Sequence, residues 1–129
     1  EINLQLAEDL PAVEISCGEL DIALSNLLLN ASQALEDYEN GEVRIITRSV
    51  GVRGVELLVE DNGPGIPVEN RRRIFEPFYT SSEIGESTGL GLSISQAMLN
   101  KRGASLELDT SYKDGARFII KLRGIKTDE

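Results

Sequence analysis

Four short stretches hold the residue types that could do chemistry. In Leu24–Leu35, LSNLLLNASQAL, two asparagines sit one helical turn apart, Asn26 and Asn30, among leucines. Asparagine is a poor helix former and costly to bury without partners. A carboxamide oxygen is, however, a neutral hard donor suited to Mg²⁺, which shares its coordination with water and phosphate oxygens. In Glu60–Pro67, EDNGPGIP, Asp61 stands where a strand breaks into a loop, and Gly63 and Gly65 let the main chain turn back close to a ligand. A carboxylate there can accept a hydrogen bond from an exocyclic amine. In RRRIFEPFYTSS, Phe75 and Phe78 flank Pro77 in polar surroundings, which suits pegs that anchor one end of a moving loop. In Ser87–Ser95, STGLGLSIS, a loop runs into a helix, so N–H groups around Thr88, Gly89, Leu90 and Gly91 would point at an anion with the helix dipole behind them.

Each stretch has an ordinary alternative: solvent-facing amides, an Asp-Asn-Gly turn, hydrophobic pegs, a plain helix start. The last also lacks the preceding strand and third glycine of a dinucleotide fingerprint. Composition narrows the chemistry further. The chain has 129 residues, 40% hydrophobic, with no histidine and one cysteine. It therefore has no imidazole base, no serine–histidine triad and too few soft ligands for a structural zinc. A formal charge of −9 argues against nucleic acid but not against a phosphorylated ligand met by a metal ion or backbone N–H groups. No apolar run approaches the roughly 20 residues needed to cross a bilayer, so this domain is not expected to insert in a membrane. The single Cys17 suits a reducing, cytoplasmic setting and a small buried apolar role, whether or not the parent is membrane-anchored. The chain begins at Glu1 without methionine and reads as one domain, residues 1–129, of something longer.

The elements that must carry these stretches follow from periodicity. Glu1–Leu6 and Ala12–Ser16 alternate like short strands. Gly18–Glu36 reads as a helix with Leu20, Leu24, Leu27, Leu28, Ala31 and Leu35 on a broad apolar face. Glu19, Asn26, Asn30, Gln33 and Asp37 form a narrow polar stripe flanked by Ile22, Ala23 and Leu29. Asn40-Gly41 is a tight-turn dipeptide, and Glu42–Val50 and Val55–Asp61 follow as a hairpin. Val68–Ile74 reads as a short basic helix. Leu90–Arg102 reads as a helix with Ile94, Ala97 and Met98 inward, stopped by Gly103. Ala104–Leu108 and Ala116–Leu122 close the chain as strands turning at Asp114-Gly115. The sum is an α+β, two-layer sandwich: a mixed, mostly antiparallel sheet with about three helices on one face.

In their order, the four stretches resemble the nucleotide-binding domain of sensor histidine kinases, within the wider superfamily of gyrase, heat-shock-chaperone and mismatch-repair ATPases. NLLLNASQAL is similar to that family's N box, DNGPGIP to its G1 box, IFEPFYTS to its F box and TGLGLSIS to its G2 box, and GARFIIKL resembles its closing strand. The wording of the N and F boxes looks most like the nitrogen-regulation branch. The resemblance implies a Bergerat-type ATP-binding fold with Mg-ATP as the ligand. It implies that Asn30 ligates Mg²⁺ with Asn26 assisting, that Asp61 takes the adenine amine, and that Gly63, Gly65 and Ile66 wrap the base. Thr88, Gly89, Leu90 and Gly91 would cap the phosphates, beneath a mobile lid at about 75–88. Where hydrolysing branches carry glutamate as general base, this chain has Asn26, which cannot take a proton. That favours donation of the γ-phosphoryl group to a histidine over hydrolysis, and the absence of histidine puts the acceptor on a separate dimerisation domain of the same parent. A response-regulator receiver domain would follow as partner. A nucleotide-binding regulatory module of the anti-sigma type is the alternative, and a stand-alone ATPase a more distant one. Gln33, Ser82, Ser87 and Ala116 depart from the family pattern, and one of Arg71 to Arg73 is a candidate substitute for missing phosphate contacts.

Overall fold

The computed structural model describes residues 2–5, 17–51, 54–71, 73–76 and 91–123. Within them the chain runs β1 (Ile2–Gln5), α1 (Cys17–Ala34), β2 (Val43–Val50), β3 (Gly54–Asp61), a 3₁₀ turn (Val68–Asn70), α2 (Gly91–Lys101), β4 (Ser105–Leu108) and β5 (Arg117–Arg123). The expected strand at Ala12–Ser16 and the side chain of Cys17 lie outside the described residues. Among the described residues no helix is long and apolar enough to cross a membrane.

The strands form one sheet in the order β1-β2-β3-β5-β4. β1 and β2 run parallel, as strands joined through a helix can, and the other three pairs are antiparallel. This is the mixed, mostly antiparallel sheet that the sequence implies. At Gly54, where the β2–β3 hairpin closes, a Cβ would collide with the carbonyl oxygen of Val50, so the hairpin depends on glycine there.

Strand alternation sorts the sheet into two faces. Val43, Ile45, Val55, Leu57, Val59, Leu106, Phe118, Ile120 and Leu122 line one face and form a single core with α1 and α2. On the opposite face Glu60 is sealed between Arg44 and Arg117, each 2.5 Å from one of its carboxylate oxygens. Arg117 also reaches Asp109 at 3.1 Å and stacks on the Tyr112 ring, whose hydroxyl accepts from Arg44. The three strand ends β2, β3 and β5 are thereby clamped beside Asp61. The same row on the helix face thus starts from a rigid base.

Three details differ from the sequence reading. The inner stripe of α1 is Ala23, Leu27 and Ala31, so Ala23 lies in the core rather than beside the polar strip. Small residues at both ends of that stripe let the helix lie close to the sheet. In α2 the buried residues are Ser95 and Leu99, with Leu92 and Met98 partly covered, whereas Ile94 is half exposed and Ala97 is exposed. Hydropathy alone rotated this helix, because its innermost position holds a hydroxyl. Finally, Val68–Ile74 is one 3₁₀ turn and a further turn rather than a helix. Arg71 N–H bonds the Val68 carbonyl and Glu76 N–H that of Arg73, i→i+3 links that follow Pro67.

Candidate functional site

Asp61 ends β3 on the helix face, and its side chain is buried. Its Oδ1 accepts from the N–H of Gly63 at 2.9 Å and of Ala116 at 3.3 Å. Oδ2 has no hydrogen-bond partner among the described residues. Burial pushes the Asp61 carboxyl above its ordinary value, and the two N–H bonds offset part of that rise. The arrangement holds one oxygen in place and leaves the other to accept from a ligand.

The loop after Asp61 is close-packed against its surroundings. A Cβ on Gly63 would lie 3.1 Å from Asp61 Oδ1 and 3.3 Å from Leu35 Cδ2. Gly65 has a φ of 76°, and a Cβ there would meet the Gly115 carbonyl at 3.0 Å. The neighbouring Asn62 accepts from Glu42 N–H at 2.8 Å and donates to the Asn40 carbonyl at 3.0 Å, tying the loop to the turn before β2. Ile66 packs partly buried against the core, and Arg71 Nε donates to its carbonyl at 3.3 Å. Arg71 is therefore a brace for this loop. Arg73 faces Glu76 across 3.8 Å, and the Arg72 side chain lies outside the described residues.

Gly115 and Ala116 were not singled out as site residues by sequence reasoning, which saw only a turn and a missing hydroxyl. Their role is backbone contact, with the Ala116 carbonyl accepting from Asp61 N–H at 2.9 Å as well. Only the Asp-Gly dipeptide hinted at it.

The other half of the site is built where α1 meets α2. Arg102 Nε donates to both Glu19 carboxylate oxygens at 3.1 and 3.0 Å, and Asn26 Nδ2 donates to Ser95 Oγ at 2.8 Å. Counting forward along α1 and backward along α2, the two links keep the same spacing, so the helices are antiparallel. One further turn of that register brings Asn30 level with Gly91, the first residue of α2. The Asn30 carboxamide, half-buried, has no hydrogen-bond partner among the described residues. Thr88, Gly89 and Leu90, like Phe78 and most of the lid, lie outside the described residues. At the near end of that segment Ile74 is buried, and Phe75 meets Phe118 edge-on, centroids 6.2 Å apart at 86°. A groove of about 770 Å³ between α1 and the 35–43 connection, bounded by Leu28, Leu35 and Tyr38, occupies a different face of α1 from the two asparagines.

Among the described residues, Asp61 with its glycine loop thus stands at the end of β3, and the Asn30 carboxamide stands level with the start of α2. Comparison with known proteins gives the family. Over 95% of its length the chain is 31% identical to the sensor kinase CckA of Brucella abortus, and over 88% it is 32% identical to the sensory histidine kinase/phosphatase NtrB of Vibrio alginolyticus. It spans 14% and 34% of the lengths of those two relatives. Full-length ShkA in complex with AMPPNP superposes with a TM-score of 0.77 at 26% identity, covering 98% of this chain and 26% of that one. The histidine kinase ThkA, in complex with the response regulator protein TrrA, superposes with a TM-score of 0.75 at 25% identity, covering 97% and 34%. Residues 18–124 match a family as a whole, and the chain belongs to it: the histidine kinase-, DNA gyrase B- and HSP90-like ATPases.

Proposed function

We propose that this chain is the ATP-binding domain of a sensor histidine kinase, which holds Mg-ATP and presents its γ-phosphoryl group to a histidine on a separate dimerisation domain of the same parent. The observation that carries the reading is the combination of Asp61, a buried residue whose Oδ2 has no hydrogen-bond partner among the described residues, with an Asn30 carboxamide level with the start of α2. The fit is chemical at both ends. An acceptor oxygen held by two N–H bonds suits an exocyclic amine, and a neutral carboxamide beside a helix N-terminus suits a cation shared with phosphate oxygens. The glycines at 63 and 65 let the loop pack closely against Asp61, Leu35 and Gly115, which fixes its path beside the carboxylate.

In this reading Asp61 orients the base, and Ile66 supplies an apolar wall to it. Asn30 Oδ1 holds Mg²⁺, and Asn26 supports it from one turn earlier. The N–H groups leading into α2, which the sequence places at Thr88, Gly89, Leu90 and Gly91, would meet the phosphates, which matters in a chain of net charge −9. The Phe75–Phe118 contact fixes one end of the lid to β5, so that closure of the lid over 75–88 would exclude water. When bound, Mg-ATP supplies a γ-phosphorus that breaks its bond to the bridging oxygen as the acceptor imidazole nitrogen bonds to it, ADP leaving. Asn26 cannot take a proton from water, so the cleft is suited to a nucleophile that brings its own lone pair.

That a response-regulator receiver domain takes the phosphoryl group next is part of the same proposal; the ThkA complex with TrrA supports it by likeness. Mixing this chain with a histidine-bearing helical hairpin of its parent and γ-labelled ATP tests the function. Acid-labile label on the hairpin histidine is expected. ATP bound without any phosphohistidine would favour the regulatory-module reading, and steady phosphate release without the hairpin would favour an ATPase.

A further inference from the structure

Away from its asparagines, α1 presents a second ordered face. Ser25, Leu28, Ser32 and Leu35 alternate at three and four residues, the spacing of a seam that meets another helix. Leu35 N–H still bonds the Ala31 carbonyl at 3.1 Å, so the pattern outlasts the helix by one residue. These four residues lie along the groove of about 770 Å³, whose other wall is the 35–43 connection. Leu29, 51% exposed, and Tyr38, 44% exposed, line it as well. Large apolar side chains exposed together along a groove mark an interaction surface. The second wall is held in advance. A Cβ on Gly41 would lie 3.0 Å from Leu35 Cβ, and Asn62 bonds both sides of Gly41, at the Asn40 carbonyl and the Glu42 N–H. A partner would therefore meet a formed groove and lose little binding energy to ordering it.

Charge decides what kind of helix fits. Glu36 and Glu39 line the groove where α1 ends, and Asp37 lies between them in sequence. All three are exposed, and none has an ion-pair partner among the described residues. Carboxylates at a helix C-terminus oppose the macrodipole, and the last turn of α1 has no basic residue to offset them. A cation from outside would relieve both. We propose that this groove docks a basic amphipathic α-helix of a partner protein, its apolar stripe laid over Ser25, Leu28, Ser32 and Leu35 and its lysines or arginines against Glu36 and Glu39. The serines leave notches that let two helices approach closely, and the leucines supply the apolar surface. From Ser25 to Glu36 the seam runs about 16 Å, or about three helical turns. A second copy of this chain is a poor occupant, since each copy carries a net charge of −9. The proposal stands apart from the nucleotide reading, because Asn26, Asn30 and Asp61 do not line the groove.

The test titrates this chain with a synthetic leucine–lysine peptide patterned as an amphipathic helix, read by fluorescence anisotropy and by backbone amide chemical shifts. A scrambled peptide of the same composition controls for charge alone. The ordered peptide is expected to bind at least about tenfold more tightly than the scramble, with shifts concentrated over residues 25–43. Glu36→Lys/Glu39→Lys is expected to weaken it about tenfold, and the matched charge change Glu69→Lys/Asp114→Lys, at exposed positions outside the groove, to leave it within about twofold. Ser32→Gln fills a notch at an exposed position without changing the charge. It is expected to lower the affinity by a similar factor and to leave the thermal midpoint unchanged. Equal binding of both peptides, equal losses in both charge-reversed variants, shifts elsewhere on the surface, or no binding of the ordered peptide would each overturn the proposal. So would a dimer of this chain that Ser32→Gln dissociates in sedimentation, which would give the groove to a second copy.

Discussion

Gly115 is pressed against Asp61: a Cβ at position 115 would lie 3.0 Å from Asp61 Oδ1 and would overlap the Asp61 carbonyl oxygen. The residue proposed to orient the ligand is thus positioned by the main chain of another strand's entry turn. Gly115→Ala is expected to cost at least about 2 kcal/mol, because the obstacle is backbone that cannot swing aside. It should weaken nucleotide binding in step. Chemical denaturation and an ATP titration on the same variant check both halves.

Asp61→Asn separates binding from stability. The amide oxygen can still accept from Gly63 and Ala116, but the atom facing the ligand changes from acceptor to donor. ATP affinity is expected to fall by about 1.5–3 kcal/mol, roughly ten- to more than a hundredfold, while the denaturation midpoint of the ligand-free chain stays level or rises.

The pH dependence of the ligand-free chain follows from the same burial. Because the Asp61 carboxyl is raised, the folded chain holds its proton more tightly than the unfolded chain. The penalty is absent below the ordinary value of 3.8 and grows as pH rises through the higher folded value, being complete above it. Asp109 has the opposite sign. Hydrogen bonds from Ser111, then Arg117, lower its carboxyl, so its contribution is complete above 3.8 and lost as pH falls through the lower folded value. Stability measured from neutral pH downward should therefore show a gain from Asp61 before the loss from Asp109, and Asp61→Asn should remove that gain alone.

On the far face of the sheet, Glu60→Ala removes the shared partner of Arg44 and Arg117. Both guanidiniums keep some access to water, so the expected cost is about 2 kcal/mol, below that of breaking a fully buried pair. Thermal melting of Glu60→Ala against Arg44→Ala measures it; a smaller loss for Arg44→Ala is expected, since Arg117 still covers the carboxylate.

The rotation of α2 can be checked with two truncations. Leu99 is fully buried, and Leu99→Ala is expected to cost about 2–5 kcal/mol. Ile94 is 51% exposed, and Ile94→Ala should cost within about 0.5 kcal/mol. The opposite ranking in denaturation would restore the orientation that hydropathy suggests.

Much of this architecture was legible from residue types alone. The leucine run around Asn26 and Asn30 marked α1, alternation marked β2, β3 and β5, and Asp61 with its two glycines marked the loop that ends β3. What escaped shares one physical cause: it is made of backbone or of polar groups used as core. Gly115 and Ala116 act through main-chain atoms, which no side-chain pattern announces. Ser95 reads as surface by hydropathy yet is innermost because Asn26 satisfies it. Arg71 reads as a solvated or phosphate-seeking charge, whereas its distance to the Ile66 carbonyl makes it a brace. The 3₁₀ turn at Val68–Asn70 was overread as helix because a basic run says nothing about length.

The most direct test of the central claim is a crystal structure of this chain with Mg²⁺ and a non-hydrolysable ATP analogue. The account predicts the adenine amine within hydrogen-bond distance of Asp61 Oδ2 and the cation coordinated by Asn30 Oδ1 at the start of α2. A cation bound away from Asn30, or a cleft left vacant at saturating analogue, would contradict it.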